Sequence, residues 1–321
     1  MNGRARVISW RIAGGLVVGV GVMAGIAGCP EPPRPPPAPP LDEPEPVSAV
    51  IAHVNANADR MPPDVLLFSR VDIQAGWFDD DGEEHRLDGG GDLKFVKPRK
   101  LLLVIKHDLG GRLAEVGSDG ERYWLWYEKD KTLWWCKHEH LDKPRFRDMP
   151  IRPDQLIVAL GLTRLPSGSG PLWGPWYRAT GGRIPHTLNP ACRLGYFSRS
   201  PDGAVRLDRD YYVSQVSPFL AERIEFRDKF GALACEATLA HLDETGIKND
   251  AIEGPAPFMP YEIWLRLSAR RSFLSVKLKA PRIQALPPLI RKRGWWKMAP
   301  PAGTEIIQID KEYDQPTSQP T

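Results

Sequence analysis

Apolar residues at Val47, Val50, Ile51, Val54 and Ala58 follow the i, i+3, i+4, i+7, i+11 spacing of one helical face, which predicts an amphipathic helix over 47–59. Met61-Pro62-Pro63 ends it. From Val71 to His138 the pattern shortens to β-rich runs at 71–78, 84–96, 100–107, 112–117, 121–127 and 131–138. The breaks are Asp79-Asp80-Asp81-Gly82, Lys97-Pro98, Asp108-Leu109-Gly110-Gly111, Ser118-Asp119-Gly120 and Glu128-Lys129-Asp130-Lys131. These are hairpin connections, so the sheet is expected to be antiparallel and to meander.

Pro153 to Leu160 reads as a short helix, with proline in its first turn and Gly161 just past its end. Residues 163–204 are rich in Gly, Pro and Ser, carry Trp173, Trp176 and Tyr177, and show no clear period; they read as a long loop or lid. Strand patterns return at 209–216, 221–227 and 232–240, the last two joined by Asp228-Lys229-Phe230-Gly231. A hairpin over 261–267 and 272–279 alternates cleanly, with Ile263, Leu265 and Leu267, then Leu274, Val276 and Leu278 on one face, so that face is buried and the other wet. Thr304 to Ile309 reads as a closing strand and 311–321 as a disordered tail.

The sum is an α+β chain, mainly antiparallel β, of about ten or eleven strands and two or three helices. It shows no βαβ alternation and no glycine fingerprint for a nucleotide, so no cofactor is expected. A strongly curved sheet with helices against its concave side is the simplest way to cover so much one-faced apolar surface.

The N-terminus changes the picture from a fold to a place. Arg4, Arg6 and Arg11 form a basic region before an apolar stretch from Ile12 to Ile26, too short to span a bilayer. The stretch ends in Ile26-Ala27-Gly28-Cys29, which resembles a bacterial lipobox, the pattern cut by lipoprotein signal peptidases. On this reading residues 1–28 are a signal peptide and Cys29 carries lipid that holds the chain at a membrane. Residues 30–46 then hold ten prolines in seventeen positions, a polyproline II stalk of about 50 Å at about 3.1 Å per residue. Residues 47–310 form the folded domain.

Charge excludes one class of partner. The chain carries 43 Lys and Arg against 40 Asp and Glu, and the first 28 residues account for three of the arginines and no acid, so the remainder balances at 40 against 40. A general nucleic-acid binder is not implied. With Cys29 committed to lipid, Cys136, Cys192 and Cys235 form at most one disulfide.

The strongest enzyme-like constellation is Cys136, His138 and His140, which point the same way if the strand stays extended, as a metal site would need, although no fourth ligand is evident nearby. His53, His85, His107, His186 and His241 stand singly, and there is no Gly-x-Ser-x-Gly or His-Glu-x-x-His. Asp79 to Glu84 is acidic but lacks the spaced ligands of an EF-hand. No catalysis is expected. Arg291-Lys292-Arg293-Gly294-Trp295-Trp296-Lys297 mixes basic and aromatic residues, as a headgroup-facing surface or a solvated turn would, and Arg270 and Arg271 would enlarge such a basic mouth.

Gly91-Asp92-Leu93-Lys94-Phe95-Val96-Lys97-Pro98, followed by Ser118-Asp119-Gly120-Glu121-Arg122-Tyr123-Trp124-Leu125-Trp126-Tyr127, resembles the outer-membrane lipoprotein-sorting carriers, the Lol family. In that family a Gly-x-Leu strand ends in a basic residue and proline, and a Ser-Asp-Gly turn then leads into an aromatic-rich strand. The amphipathic helix before the first strand and the Pro300-Pro301-Ala302-Gly303 turn before the last agree with it. The resemblance implies a half-open curved β-barrel closed by helices, with an apolar cavity that shields acyl chains of lipids or lipoproteins from water.

Candidate cavity walls are Leu93 and Phe95; Leu101, Leu103 and Ile105; Leu125 and Tyr127; Leu133 and Trp135; and Ile263, Leu265, Leu267, Leu274, Val276 and Leu278. Trp124 and Trp126 face away from Leu125, and sequence parity leaves open which set points inward. Lys97, at the cavity mouth, stands where the carriers have a functionally important arginine; it keeps the charge and loses the planar fork. The soluble carrier has no lipid, whereas this chain reads as anchored, closer to the family's membrane-bound acceptor or to related lipid-carrying lipoproteins. The 163–204 segment matches no part of the family's pattern.

The resulting expectation is an envelope lipoprotein facing the periplasm, on the outer membrane rather than the inner because Pro30 stands where some bacteria place a retaining aspartate. Its partners would be acyl chains, the membrane and a partner carrier protein. A scaffold whose barrel is filled by its own side chains, and a metal-dependent enzyme around Cys136, His138 and His140, are the competing readings.

Overall fold

The computed structural model describes residues 46–78, 82–107, 110–140, 152–166, 172–179, 191–199, 203–228, 230–242, 246–268, 272–288 and 296–311. The signal peptide, Cys29, the stalk through 45, the acidic turn at 79–81, Arg270, Arg271, residues 291–295 and the tail from 312 lie outside the described residues.

Helix α1 spans Val47–Asp59, as the apolar spacing predicts, with Val50, Val54 and Ala58 buried. A first group of strands follows: β1 (Val65–Phe78), β2 (Glu84–Val96), β3 (Lys100–Lys106), β4 (Arg112–Asp119), β5 (Arg122–Tyr127) and β6 (Thr132–Lys137). Helix α2 (Pro153–Ala159) has proline at its first turn, and Gly161 just beyond it adopts φ 69°, a left-handed conformation suited to a residue without Cβ. The second group is β7 (Leu172–Ala179), β8 (Ala191–Arg199), β9 (Val205–Ser214), β10 (Ala221–Arg227), β11 (Leu233–Leu242), the two-residue β12 (Lys248–Asn249), β13 (Met259–Leu267) and β14 (Ser272–Ala285). β15 (Glu305–Gln308) closes the chain.

All fifteen strands belong to one large, curved, unclosed sheet in the order β15-β6-β5-β4-β3-β2-β1-β14-β13-β11-β10-β9-β8-β7, with β12 paired to β14. Every pairing is antiparallel except β12 with β14 and β15 with β6. The sheet is therefore two meanders joined where β14 returns to β1, from Val65 opposite Ala285 to Gly76 opposite Phe273.

The count of ten or eleven strands is corrected to fifteen among the described residues, chiefly because 163–204 is not wholly a loop. β7 and β8 lie within it, paired with each other through a register shift between Trp173 and Trp176. Gly174 and Pro175 interrupt the apolar alternation there, and proline is tolerated because β7 is an edge strand. β1 begins at Val65 rather than 71 and β14 runs to Ala285 rather than 279, because each is lengthened by pairing with the other across the chain.

One continuous core runs along one sheet face through both meanders and includes Val50 and Val54 of α1 and Leu156, Ile157 and Ala159 of α2. Both helices thus pack on the same face, at about 1.5–3 kcal/mol of transfer free energy per fully buried large apolar side chain. The opposite face differs between the meanders. On the first, Leu66, Val96, Leu102, Trp124, Trp126 and Leu133 form a second apolar cluster under Trp296, with Trp135 and Met298 packed against it. On the second, strands β8 to β11 carry ion pairs instead.

Candidate functional site

The helix-covered face holds most of the side chains expected to wall a cavity. Leu93, Phe95, Leu101, Leu103, Ile105, Leu125, Ile263, Leu265, Leu274, Val276 and Leu278 are buried in its core, and Tyr127 and Leu267 pack against it at partial exposure. Register settles the parity question: Leu125 and Tyr123 point to this face, and Trp124 and Trp126 to the other. Leu133 and Trp135 are corrected, because they share the face of Trp126 and Trp124, opposite which they sit in the ladder. β6 turns Cys136 and Trp134 inward instead.

α1 is held over this face mainly by its C-terminal half. Asn57 and Phe258 exchange two hydrogen bonds, Nδ2 donating to the Phe258 carbonyl at 2.9 Å and Oδ1 accepting from its N–H at 2.7 Å. Asn55 Oδ1 accepts from the Leu165 N–H at 2.8 Å, and His53 stacks on Phe219 at 4.4 Å between centroids. Lys97 Nζ donates to the Ala58 carbonyl, which also accepts from the Met61 N–H at 3.3 Å, and sits at the helix C-terminus, where the dipole favours a cation. Burial lowers the Lys97 pKa, while Asp59 opposes that shift; Asp59 also pairs with Arg164 at 3.0 Å. The residue at the expected mouth is therefore a latch on α1.

The latch has a measurable consequence. Lys97→Met keeps most of the apolar stem and removes the charge and the bond to Ala58, and is expected to cost about 1–2 kcal/mol. Amide exchange in α1 should accelerate before that of β1 to β3; unchanged protection of α1 would mean the bond contributes nothing.

The candidate metal trio is not assembled. β6 ends at Lys137, and His138–His140 turn into a 3-10 helix, so the period of two stops at Cys136. Cys136 Sγ lies in the core and donates to the Lys137 carbonyl at 3.1 Å. His138 Nε2 meets Ser118 Oγ at 2.9 Å, and because that hydroxyl donates to the Arg99 carbonyl, Nε2–H is the donor to Ser118. Ser118 is thus not a base-activated nucleophile. His140 Nδ1 meets Asp310 Oδ2 at 2.7 Å; Asp310 also accepts from the Lys137 N–H at 2.9 Å, which ties the C-terminal segment to β6. Among the described residues no three His, Cys, Asp or Glu side chains gather to hold a metal ion.

Cys136, Cys192 and Cys235 are buried free thiols. Burial raises all three, Cys192 to about 11 and Cys235 to about 12, so they stay protonated and unreactive.

His241, half-buried with its Nδ1 turned inside, is the histidine with a pH consequence. Its Nε2–H donates to the Ala221 carbonyl at 2.6 Å, and Nδ1 is buried without a partner among the described residues. Burial pushes its pKa down to about 4, against the weaker raising effect of the Ala221 bond. The folded ring stays neutral to about pH 4 while the unfolded chain takes its proton near 6.5, so the unfolded state binds more protons in that window. Stability is therefore fully present above pH 6.5 and falls toward pH 4, by about 2–3 kcal/mol from this group. His241→Gln keeps a donor for Ala221 and should flatten that part of the profile in urea titrations; an unchanged slope would refute the assignment.

Sequence reading missed two features of the far face. The first is the apolar cluster around Trp124, whose signal was present in the unbroken runs Leu101 to Ile105 and Tyr123 to Tyr127, since a strand with both faces covered does not alternate. Beside it a pocket of about 290 Å³ is lined by Lys94, Leu102, Val104, Arg112, Glu115 and Lys297, among others. The second is an ion-pair ladder. Arg193 (β8) grips Asp210 (β9) with two bonds of 2.8 Å, Arg227 (β10) reaches the same carboxylate at 3.2 Å and also pairs with Glu225, and Arg223 joins Glu225 to Glu236 (β11), the latter at 2.8 Å.

No protein-family model matches the sequence, and no curated protein does. Among solved structures the chain is similar to a DUF1329 family protein of Desulfovibrio piger, at 11% identity over 79% of this chain and 100% of that one, with a TM-score of 0.45. It is similar also to a LolA superfamily protein of Nitrosomonas europaea, at 12% identity over 76% and 96% of the two chains and a TM-score of 0.44. A Vibrio parahaemolyticus domain described as an outer membrane lipoprotein-sorting protein gives 11% identity over 77% and 98%, with a TM-score of 0.41. At these identities and TM-scores the likeness carries no inference about this chain's role or cargo.

Proposed function

We propose that this chain is a lipid-anchored envelope lipoprotein that takes acyl chains of lipids or lipoproteins onto the helix-covered face of its sheet and hands them on, with a partner carrier on one side of the exchange. The observation that carries this reading is the contrast in size on that face. A continuous apolar surface runs through both meanders of an unclosed sheet, and the helices upon it are only 13 and 7 residues long. Such helices can be displaced while the sheet keeps its own hydrogen bonds, and α1 is held chiefly at one end, by Lys97, Asn55 and Asn57.

Transfer supplies the energy. Each CH₂ moved from water to an apolar surface gains about 0.8 kcal/mol, so a sixteen-carbon chain gains on the order of 10 kcal/mol before ordering costs. The same face offers one polar handle: the Tyr196 hydroxyl, buried without a partner among the described residues, is a donor for an ester carbonyl. Lipidation at Cys29 and the proline-rich stalk place the domain at the periplasmic side of a membrane, the outer one favoured by Pro30. No part of this reading calls for catalysis.

The scaffold reading has its own support, because the inner side chains pack on one another at exposures of 9% or less. A fluorescent fatty-acid probe titrated into residues 47–311 separates the two. Saturable binding near one site per chain, competed by phospholipid or a triacylated peptide, and tighter or faster in Lys97→Met, supports the carrier. A cooperatively folded domain that binds nothing makes the chain a scaffold.

A further inference from the structure

We infer that the outer edge of the second meander, where β7, the β8–β9 end and the β10–β11 turn meet, docks into the headgroup layer of an anionic lipid bilayer. Large apolar side chains are exposed there: Trp173 at 39%, Trp176 at 50%, Val205 at 52% and Phe230 at 77%. Single exposed hydrophobics are normal on a protein surface. Here register brings Trp173, Val205 and Phe230 to one end of the sheet, with Trp176 behind them in the middle of β7. Leu172 pairs with Ser198 and Trp173 with Phe197, Arg199 pairs with Val205, and Arg209 with Phe226, so the start of β7, the end of β8, the start of β9 and the β10–β11 turn share one end of the sheet.

The two tryptophans also share a face. Leu172 and Tyr177 turn inward to the core, whereas Trp176 stands opposite Gly195 on the outward side with Trp173. Phe230 is held out by a fixed turn: Asp228 Oδ1 accepts from the N–H groups of Phe230 at 2.8 Å and Ala232 at 2.9 Å, and the Gly231 N–H donates to the Asp228 carbonyl at 3.0 Å. The carboxylate at the tip is thereby turned back onto its own backbone.

Charge selects the occupant. β7 and β8 contain Arg178, Arg193 and Arg199 and no acidic residue, and the Arg199 guanidinium lies 4.9 Å from the Trp173 ring centre. Arg193 is spent on Asp210, while Arg178 and Arg199 are exposed. Tryptophan rings at the carbonyl level with arginines at the phosphates are how side chains partition into a bilayer interface. A rim of strand ends and a hairpin tip is a ridge, which enters a planar layer and offers no groove to a peptide. The inference is independent of whether the inner face binds acyl chains.

The test uses the full chain with Cys29→Ser, spin-labelled at Phe230→Cys or, as control, at Glu253→Cys, an exposed site remote in the fold, and bound to phosphatidylethanolamine–phosphatidylglycerol vesicles; the other three cysteines are buried. The label at 230 should be relaxed more by oxygen than by a water-soluble nickel chelate, the label at 253 the reverse, and pure phosphatidylcholine should reduce the difference at least twofold. A label at Val205→Cys should follow the one at 230 and lose its oxygen preference when Trp173 and Trp176 are both replaced by serine. A label at 230 as wet as that at 253 overturns the inference. So does one shielded from both relaxants, which would mark a protein–protein contact.

Discussion

Asp210→Ala is expected to destabilise the fold by about 3–5 kcal/mol, read as a fall in the urea midpoint at unchanged slope. Asp210 has no exposed surface and receives three guanidinium bonds, two from Arg193 and one from Arg227. Removing the carboxylate leaves two largely covered cations side by side, and among the described residues Arg227 keeps its pair with Glu225, which it shares with Arg223. The cost is that of an uncompensated charge, so replacing Asp210 by Leu together with Arg193 by Met should recover much of it. A loss below about 1 kcal/mol would show that water reaches the ladder and that it behaves as a surface salt bridge.

Trp124→Ala is the second large expected effect, again about 3–5 kcal/mol. Trp124 has no exposed surface although it stands on the face away from both helices. Its Nε1–H donates to Glu115 Oε1 at 2.9 Å, and its ring lies over Gly117, where an added Cβ would meet ring atoms at 2.1 Å. Truncation therefore opens a cavity and removes a donor from a carboxylate that keeps its ion pair with Arg112, at 2.6 Å. Gly117→Ala should also destabilise, by overpacking rather than by a cavity, at about 1–3 kcal/mol. If the far face were wet, as simple alternation implies, Trp124→Ala would cost under about 1 kcal/mol, and thermal or urea melting would show it at once.

Much of the fold was legible because its signals are local. Helix 47–59 and strands 84–96 and 221–227 match the structure end to end, since each is set by its own period and by Gly, Pro or Asp at its boundaries. β7 and β8 were hidden for the same reason in reverse: Gly174, Pro175 and Gly195 break the alternation, although Cys192, Leu194 and Tyr196 keep it on one side of β8. The candidate wall residues share the helix-covered face on β13 and β14, where alternation is clean, and also on the unbroken apolar runs of β3 and β5, but not on β6, where Leu133, Trp134, Trp135 and Cys136 are apolar in succession and carry no parity.

By itself, then, the sequence determined the antiparallel meanders, the two helices and the candidate inner residues, because backbone period and turn chemistry act over a few neighbours. Only the tertiary structure decided which face of each strand the helices cover, that β14 returns to β1 some 200 residues along the chain, and that Asp210 is buried among arginines. A period of two presents both faces alike, and which one loses its water depends on what distant chain packs upon it. The same holds for Lys97: its charge was visible, but the Ala58 carbonyl it holds belongs to a helix placed by the packing of the whole sheet.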